Sequence, residues 1–258
     1  MTEHEIDVPR RPVVFVGKVP FLVSTLDQAV ATTINLAIAK IAEPVRLSNA
    51  YCVALAENDS IYENLYASGG LTFPDGTPIV WFMRRFKHSR KSQRVRGPSL
   101  FGETLRQGVG SGVKHYFLGT SEDTLTKMRE QAQILAPGVK IAGAYAPPYA
   151  ELDTDFVAKC AREVTDTDAD LVWVALGTPK QDFLSAQLAP ATGRPCVGVG
   201  AAFDFLAGTV REAPVWIQRS GFEWLFRLSQ DPRRLWRRYL IGNIRFLTAA
   251  TKGLFRRS

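Results

Sequence analysis

Four short stretches of this chain carry residues whose types and spacing suit the handling of a charged leaving group. The first is Phe73-Pro74-Asp75-Gly76, a carboxylate directly after an apolar run. At the carboxyl end of a strand Asp75 can act as a general base. Pro-Asp-Gly is also ordinary turn chemistry, and on spacing alone that reading outweighs the other. The second is Arg94-Val95-Arg96-Gly97. A guanidinium there can clamp a diphosphate and neutralise what departs, although arginines in a basic loop are commonplace. The third is Asn49, which follows Leu47-Ser48 and can hold a ligand hydroxyl or merely bond its own backbone. The fourth, Gly177-Thr178-Pro179-Lys180-Gln181, reads as a helix start: Thr178 at the N-cap, Pro179 at the first helical position, Gln181 completing a capping box. Such a start offers unpaired N–H groups and a positive dipole end to an anion. The tetrapeptide alone is no more than a well-capped helix. Cys196–Gly200, however, delivers Gly200 and Asp204 to the same edge, and together they read as a nucleotide-diphosphate site.

Metal chemistry has weaker support. Asp153-Thr154-Asp155 falls at a predicted helix N-terminus, where acids cap, and Asp166-Thr167-Asp168 precedes a strand, at the end away from the crevice. His4, His88 and His115 do not cluster. No protein-held catalytic metal and no cofactor are expected.

The elements that must position these residues alternate. Strands are expected at Val13–Val16, Pro44–Leu47, Leu71–Phe73, Lys114–Leu118, Val139–Ala144, Leu171–Leu176 and Cys196–Gly200. Helices are expected from a Ser24 cap through Ala42, from about Tyr51 with a break near Asn58-Asp59, and after Thr77-Pro78, another cap followed by proline. Further helices run from about Ser99 to Gly108, over 122–135, and from an Asp153 cap to about Val164. Lys87–Ser92 reads as polar and mobile. Leu171–Leu176 is continuously apolar, the pattern of a parallel strand covered on both faces. The alternation predicts βαβ units and a mostly parallel sheet with helices on both faces.

The chain has 258 residues and a net charge of +7, placed unevenly. Residues 219–258 hold ten Lys/Arg against two acids, Glu223 and Asp231, whereas the remainder has 22 basic and 23 acidic groups. A neutral body with a basic tail calls for a polyanionic partner, a membrane surface or a nucleic acid. From Pro232 onward, Arg233, Arg234, Arg237, Arg238 and Arg245 fall within roughly 140° of a helical wheel, opposite Leu235, Trp236, Tyr239, Leu240, Phe246 and Leu247. An amphipathic helix of this kind suits an anionic bilayer, with Trp216, Trp224 and Trp236 favouring the interface. The competing reading is a helix packed on the core with a solvated basic face. The polar, acidic N-terminus argues against a signal peptide, and no apolar run approaches the roughly 20 residues needed to cross a bilayer. Three scattered cysteines indicate a reducing compartment.

Together, several segments resemble the WecG/TagA/CpsF glycosyltransferases (glycosyltransferase family 26). They are Pro74–Trp81, Arg94–Gly97, Phe117–Gly119, Leu176–Asp182, Val199–Phe205, Ala207-Gly208, Ala213-Pro214, Gly221–Leu228 and Asp231–Leu240. The resemblance implies a Rossmann-like α/β core over residues 1–215 and a basic membrane-engaging appendage over 216–258. It implies transfer of an N-acetylmannosamine-type sugar, or its uronic acid, from a UDP-sugar to a polyprenyl-diphosphate-linked saccharide at the cytoplasmic face of the membrane, with inversion and without a metal. Asp75 is then the base, assisted by Asn49 and Arg94. Thr178, Pro179, Gln181, Gly200, Asp204 and Arg96 contact the donor, and Arg233, Arg234, Trp236, Arg237 and Arg238 face membrane and acceptor. One departure stands out: members commonly carry Thr-x-Asn where this chain has Leu47-Ser48-Asn49. Either Ser48 supplies the hydroxyl from the neighbouring position or that hydroxyl is dispensable. The partners expected are these substrates and an anionic membrane surface, with no nucleic acid, and a homo-oligomer is admitted. The rival is a non-catalytic adaptor that binds UDP or RNA through the basic tail.

Overall fold

The protein is described here from a computed structural model that covers residues 12–236 and 242–255. Val13–Val16 (β1) is the strand expected, but it pairs antiparallel with a second strand, Val19–Leu22 (β2), in a small sheet of its own. The first helix is Leu26–Ile38 (α1), shorter than the expected span to Ala42. Its cap is Thr25 rather than Ser24. Thr25 Oγ1 accepts from the Gln28 N–H at 3.2 Å and Gln28 Oε1 accepts from the Thr25 N–H at 3.1 Å. That reciprocal box starts the helix one residue later, while the Ser24 hydroxyl donates to the Thr25 carbonyl.

Pro44–Ser48 (β3) leads into Ala50–Asn58 (α2) and Ser60–Ala67 (α3), parted by Asp59, whose carboxylate caps the second of the pair. Leu71–Pro74 (β4) and Thr77–Met83 (α4) follow. Gly76 occupies the N-cap of α4, so Thr77 is helical and makes no side-chain cap, contrary to expectation. The stretch expected to be mobile is folded: Lys87–Ser89 is a 3-10 turn, and the buried Ser89 hydroxyl donates to the Met83 and Phe86 carbonyls. The alternation then continues through Gly97–Ser111 (α5), Lys114–Gly119 (β5), Glu122–Leu135 (α6), Lys140–Tyr145 (β6) and Thr154–Thr165 (α7). Leu171–Ala175 (β7), Lys180–Thr192 (α8), Cys196–Gly198 (β8) and Ala202–Leu206 (α9) complete it. Val215–Ser220 (α10), Glu223–Gln230 (α11), Pro232–Trp236 (α12) and Gly242–Phe255 (α13) form the C-terminal segment.

Six strands make one sheet in the order β4-β3-β8-β7-β5-β6, and every neighbouring pair is parallel. All carboxyl ends therefore share one edge. Side chains alternate across the sheet. On β7, Leu171, Trp173 and Ala175 join apolar residues of α1, α5, α6 and α9, while Val172 and Val174 face α7 and α8. Covering on both faces is why the strand reads as an unbroken apolar run. Phe101 anchors the first face, its ring centroid 5.7, 5.0 and 5.3 Å from those of Phe117, Trp173 and Phe203.

A further cluster joins β1, β2, α2, α3 and α4 to the tail. Phe246, Ala249 and Ala250 of α13 are buried in it with Val14, Val53 and Met83. This corrects the expectation that Phe246 and Leu235 face lipid: both are buried in the protein, whereas Trp236 and Leu247 on the same predicted arc are exposed. An apolar stripe packs on whatever apolar surface lies within reach, and here the body supplies one. Arg237, Arg238, Tyr239, Leu240 and the side chain of Arg234 lie outside the described residues. Among those described, no helix is long and apolar enough to cross a membrane. Phe246 packs edge-on against Phe82, with centroids 5.6 Å apart. Phe246→Ala is accordingly expected to lower stability by about 3 kcal/mol or more in urea unfolding. A loss under about 1 kcal/mol would mean that α13 is not seated as described.

Candidate active site

The common carboxyl edge opens into a crevice of about 1130 Å³. Its walls include Asn49 after β3, Asp75 after β4, Thr120 after β5, Thr178 after β7 and Gly200 after β8. The C-terminal segment supplies the opposite wall, with Gly221, Glu223, Trp224, Arg227, Leu235 and Arg245.

Asp75 sits at the floor because its N–H extends the parallel ladder by donating to the Ser48 carbonyl at 2.8 Å. Its side chain keeps 23% exposure toward the crevice, and Oδ1 lies 3.7 Å from Arg94 Nη2. Burial raises its proton affinity to about 6, resisted by Arg94, reinforced by Glu223, and resisted further by Arg96 and Arg227. A carboxyl poised there is ionised at neutral pH yet basic enough to accept a proton.

Arg94 and Arg96 reach the crevice because the Val95 N–H donates to the Pro74 carbonyl at 2.8 Å, laying residues 94–96 beside the end of β4. Gly97 then lets α5 begin against β8: a Cβ there would stand 2.7 Å from the Val199 carbonyl oxygen. Both guanidiniums converge on Glu223, the first residue of α11, which is only 7% exposed. Arg94 Nη2 donates to Oε2 at 2.7 Å, Arg96 Nε to Oε2 at 3.2 Å, and Arg96 Nη2 to Oε1 at 2.9 Å. Arg96 is further tied to Glu212 at 2.6 Å and to Gln218 Oε1 at 2.7 Å. Burial opposes charge on Glu223, but Arg94 and Arg96 outweigh it and hold its carboxyl below the usual range. Arg96 is thus largely occupied by protein, whereas Arg94 Nε is buried with no hydrogen-bond partner.

The helix start after β7 differs from the expectation. α8 begins at Lys180, Pro179 stands at its N-cap, and no side chain caps it. Thr178 lines the crevice without capping, and Pro179 is not among the lining residues. The N–H groups of Gln181, Asp182 and Phe183 are already bonded to the carbonyls of Gly177 and Pro179, so the helix does not offer the row of unpaired donors foreseen. Gln181 instead works across the sheet. Its Oε1 accepts from the Gly177 N–H at 3.1 Å and from the Gly200 N–H at 3.0 Å, joining the loops that leave β7 and β8. The cationic groups that line the crevice are side chains: Arg94, Arg96, Lys180, Arg227 and Arg245.

Asn49 lines the crevice and also caps α2, Oδ1 accepting from the Tyr51 N–H at 3.0 Å. Ser48 does not replace the missing threonine hydroxyl. Strand alternation turns it to the other face, where its Oγ lies 2.9 Å from the Tyr66 hydroxyl, while Leu47 takes the crevice side. Asp204 faces the crevice from α9, and its Oδ1 accepts from Thr120 Oγ1 at 3.3 Å. Arg233 and Trp236 are exposed and outside the crevice lining. Asp153 caps α7 and Asp168 pairs with Lys114, so neither Asp-x-Asp match reaches the crevice. Among the described residues no three His, Cys, Asp or Glu side chains gather into a metal-binding group. Glu223, Arg227 and Thr120 were not singled out from sequence. The one signal that could have found them was a lone acid, Glu223, inside the apolar run Gly221–Phe226 of a basic tail.

A model of the glycosyl transferase WecG/TagA/CpsF family matches residues 14–258. Among curated relatives, the N-acetylglucosaminyldiphosphoundecaprenol N-acetyl-beta-D-mannosaminyltransferase of Bacillus subtilis (strain 168) is 30% identical over 202 residues, which cover 78% of this chain and 76% of that one. Its namesake from Bacillus spizizenii is 31% identical over 196 residues, covering 74% and 72%.

Removing the Gln181 amide should leave two partly buried N–H groups without their acceptor. Gln181→Ala is expected to cost about 2 kcal/mol or more in chemical unfolding. A cost below about 0.5 kcal/mol would show that water serves both loops equally well.

Proposed function

The chain belongs to the glycosyl transferase WecG/TagA/CpsF family, and from that premise we propose that it catalyses one inverting sugar transfer. The donor is a UDP-sugar of the N-acetylmannosamine type or its uronic acid, and the acceptor is a polyprenyl-diphosphate-linked saccharide. The observation that carries this reading is the meeting of Asp75, with its raised proton affinity, and Arg94 at one crevice edge. The names of both Bacillus relatives, which specify an N-acetylmannosaminyl group and a diphosphoundecaprenol-linked acceptor, support the substrate classes.

In this reading Asp75 takes the proton from the acceptor hydroxyl as its oxygen attacks the anomeric carbon. The bond from that carbon to the UDP oxygen breaks, and UDP departs with the electron pair. Arg94 and Arg227 neutralise the charge that grows on the diphosphate, the task a divalent cation performs elsewhere. Asn49 orients a sugar hydroxyl, and Thr178, Gly200 and Asp204 border the nucleotide. Arg96, held by Glu212 and Glu223, acts on the donor through the shape of the wall. Residues 216–258 form the membrane-facing side, at the inner surface. Exposed Trp216, Phe222, Leu225 and Trp236, with the exposed Arg233 and Arg245, support that assignment.

A panel of UDP-sugars incubated with bacterial lipid extract and EDTA tests the reaction. Transfer from one donor is expected; none from any donor, or transfer only after manganese or magnesium is added, would overturn the proposal or its metal-free form. Asp75→Asn should retain UDP binding while turnover falls roughly 10²–10⁴-fold. In the native protein kcat/KM should decline below a pH of about 6, where Asp75 takes up its proton and the base is lost. A profile flat from pH 5 to 8 would remove Asp75 from that role.

The membrane assignment has its own test, sedimentation with anionic liposomes. Basic residues at the surface contribute on the order of 1 kcal/mol each and are screened by salt, whereas inserted aromatics leave a salt-resistant part. Trp236→Ala should weaken binding at high salt, and failure of the native protein to sediment at low or high salt would sink the assignment.

A further inference from the structure

Glu223 and the base meet the same nitrogen of Arg94 at different distances. Arg94 Nη2 donates to Glu223 Oε2 at 2.7 Å and stands 3.7 Å from Asp75 Oδ1. The first distance is a full charge-assisted hydrogen bond; the second is too long for one. A guanidinium released from Glu223 would need to move only about 1 Å to bond Asp75 directly, since such contacts close to about 2.8 Å. That bond would occupy one carboxylate oxygen and lower the basicity of the other.

We propose that Glu223 is a positioning residue: it holds the Arg94 guanidinium off Asp75, so that the C-terminal segment completes the catalytic centre by keeping its base free. The placement is built in. Gly221 takes φ +85° between α10 and α11, a turn that L side chains rarely adopt, and it rests against Thr77 and Trp81 of α4. The turn brings Glu223 in as the first residue of α11, between two arginines of the body. Arg94 Nη1 is held separately by the Gln218 carbonyl at 3.0 Å, so the guanidinium is fixed from one side by two groups of the same segment. The charged groups facing Asp75 are Arg94 and Arg96 from the loop that enters α5, with Glu223 and Arg227 from α11. Replacing the Glu223 carboxylate removes a negative neighbour and lets a positive one approach. Both changes favour ionised Asp75, so its titration must move to lower pH.

This inference rests on Asp75 being the base, and two measurements on the full chain separate the two ideas. Carboxyl-carbon NMR, with the Asp75 signal identified by its loss in Asp75→Asn, follows the titration without any assay of transfer. The midpoint is expected to fall by about one unit or more in Glu223→Gln and by a smaller but measurable amount in Glu223→Asp, whose shorter carboxylate holds the guanidinium less closely. In the transfer assay, Glu223→Gln should bind UDP at least as tightly as the native protein, because two arginines lose their competing carboxylate. Its turnover should nevertheless fall about tenfold or more, with the acid limb of kcat/KM displaced downward. An unmoved Asp75 midpoint in Glu223→Gln overturns the inference. So does a loss of UDP affinity and turnover in equal proportion, the mark of a merely structural ion pair. Should Glu223→Gln fail to fold, a midpoint in Glu223→Asp displaced upward, or equal activity and pH profile in Glu223→Asp and the native protein, overturns it as well. Near-normal turnover of Asp75→Asn would instead overturn the assignment of the base, whatever Glu223 does.

Discussion

Two arginines one residue apart, Arg94 and Arg96, point their guanidiniums at a single carboxylate that arrives from 127 positions further along the chain. In the cluster they form, Glu223 and Arg96 are largely removed from water and Arg94 is partly so. Pairs of that kind add little net stability, because desolvation offsets most of the attraction. Their effect is geometric: a buried carboxylate bound by two guanidiniums tolerates few arrangements, since any other leaves a charge unpaired. The wall of the crevice, the angle of α11 and the distance between Arg94 and Asp75 all follow from that intolerance.

The floor of the crevice is built on the opposite principle. There the N–H groups of Gln181, Asp182 and Phe183 are engaged by the Gly177 and Pro179 carbonyls, and those of Gly177 and Gly200 by the Gln181 amide. A floor satisfied internally is rigid, and the groups left to meet substrate are long side chains carried in from several elements. Arginine suits this division of labour, since its planar fork can bind a diphosphate in two places at once. The acids are distributed with the same economy of position: Asp75 alone at the end of β4, Asp204 shared with Thr120, Glu223 committed to the arginines. Asp75 combines access to the crevice with a raised proton affinity.

The tail joins body and crevice in a way that binds its two faces to different tasks. Phe246, Ala249 and Ala250 close a core made by the N-terminal hairpin and α2 to α4, while Leu235 and Arg245 reach the crevice wall. So seated, α13 cannot move without opening apolar surface, which holds its Arg245 at the crevice wall.

Much of this was legible in the amino-acid order. Periodicity identified the alternating strands and helices, and the unbroken apolar run of β7 signalled a strand covered on both sides. Because parallel strands deliver all their carboxyl ends to one edge, the linear pattern puts Asn49, Asp75, Thr178, Gly200 and Asp204 after strands, while the family resemblance, not the spacing, singles out Asn49 and Asp75 as site residues. What could not be read was every relation between residues distant in sequence and neighbouring in space. Thr178–Gln181 satisfies the local pattern of a capping box, yet the Gln181 side-chain carbonyl binds Gly200, which only sheet pairing brings near. Ser48 carries a hydroxyl one position from the family threonine, but its place in the ladder turns it toward Tyr66. Glu223 reads as one acid in a basic tail, and its partners were fixed only when α11 folded over the loop that enters α5. Local propensity and side-chain alternation act over a few residues and survive in the linear code. Burial of charge and choice of hydrogen-bond partner depend on which surfaces exclude water, and that is decided only when the chain has packed.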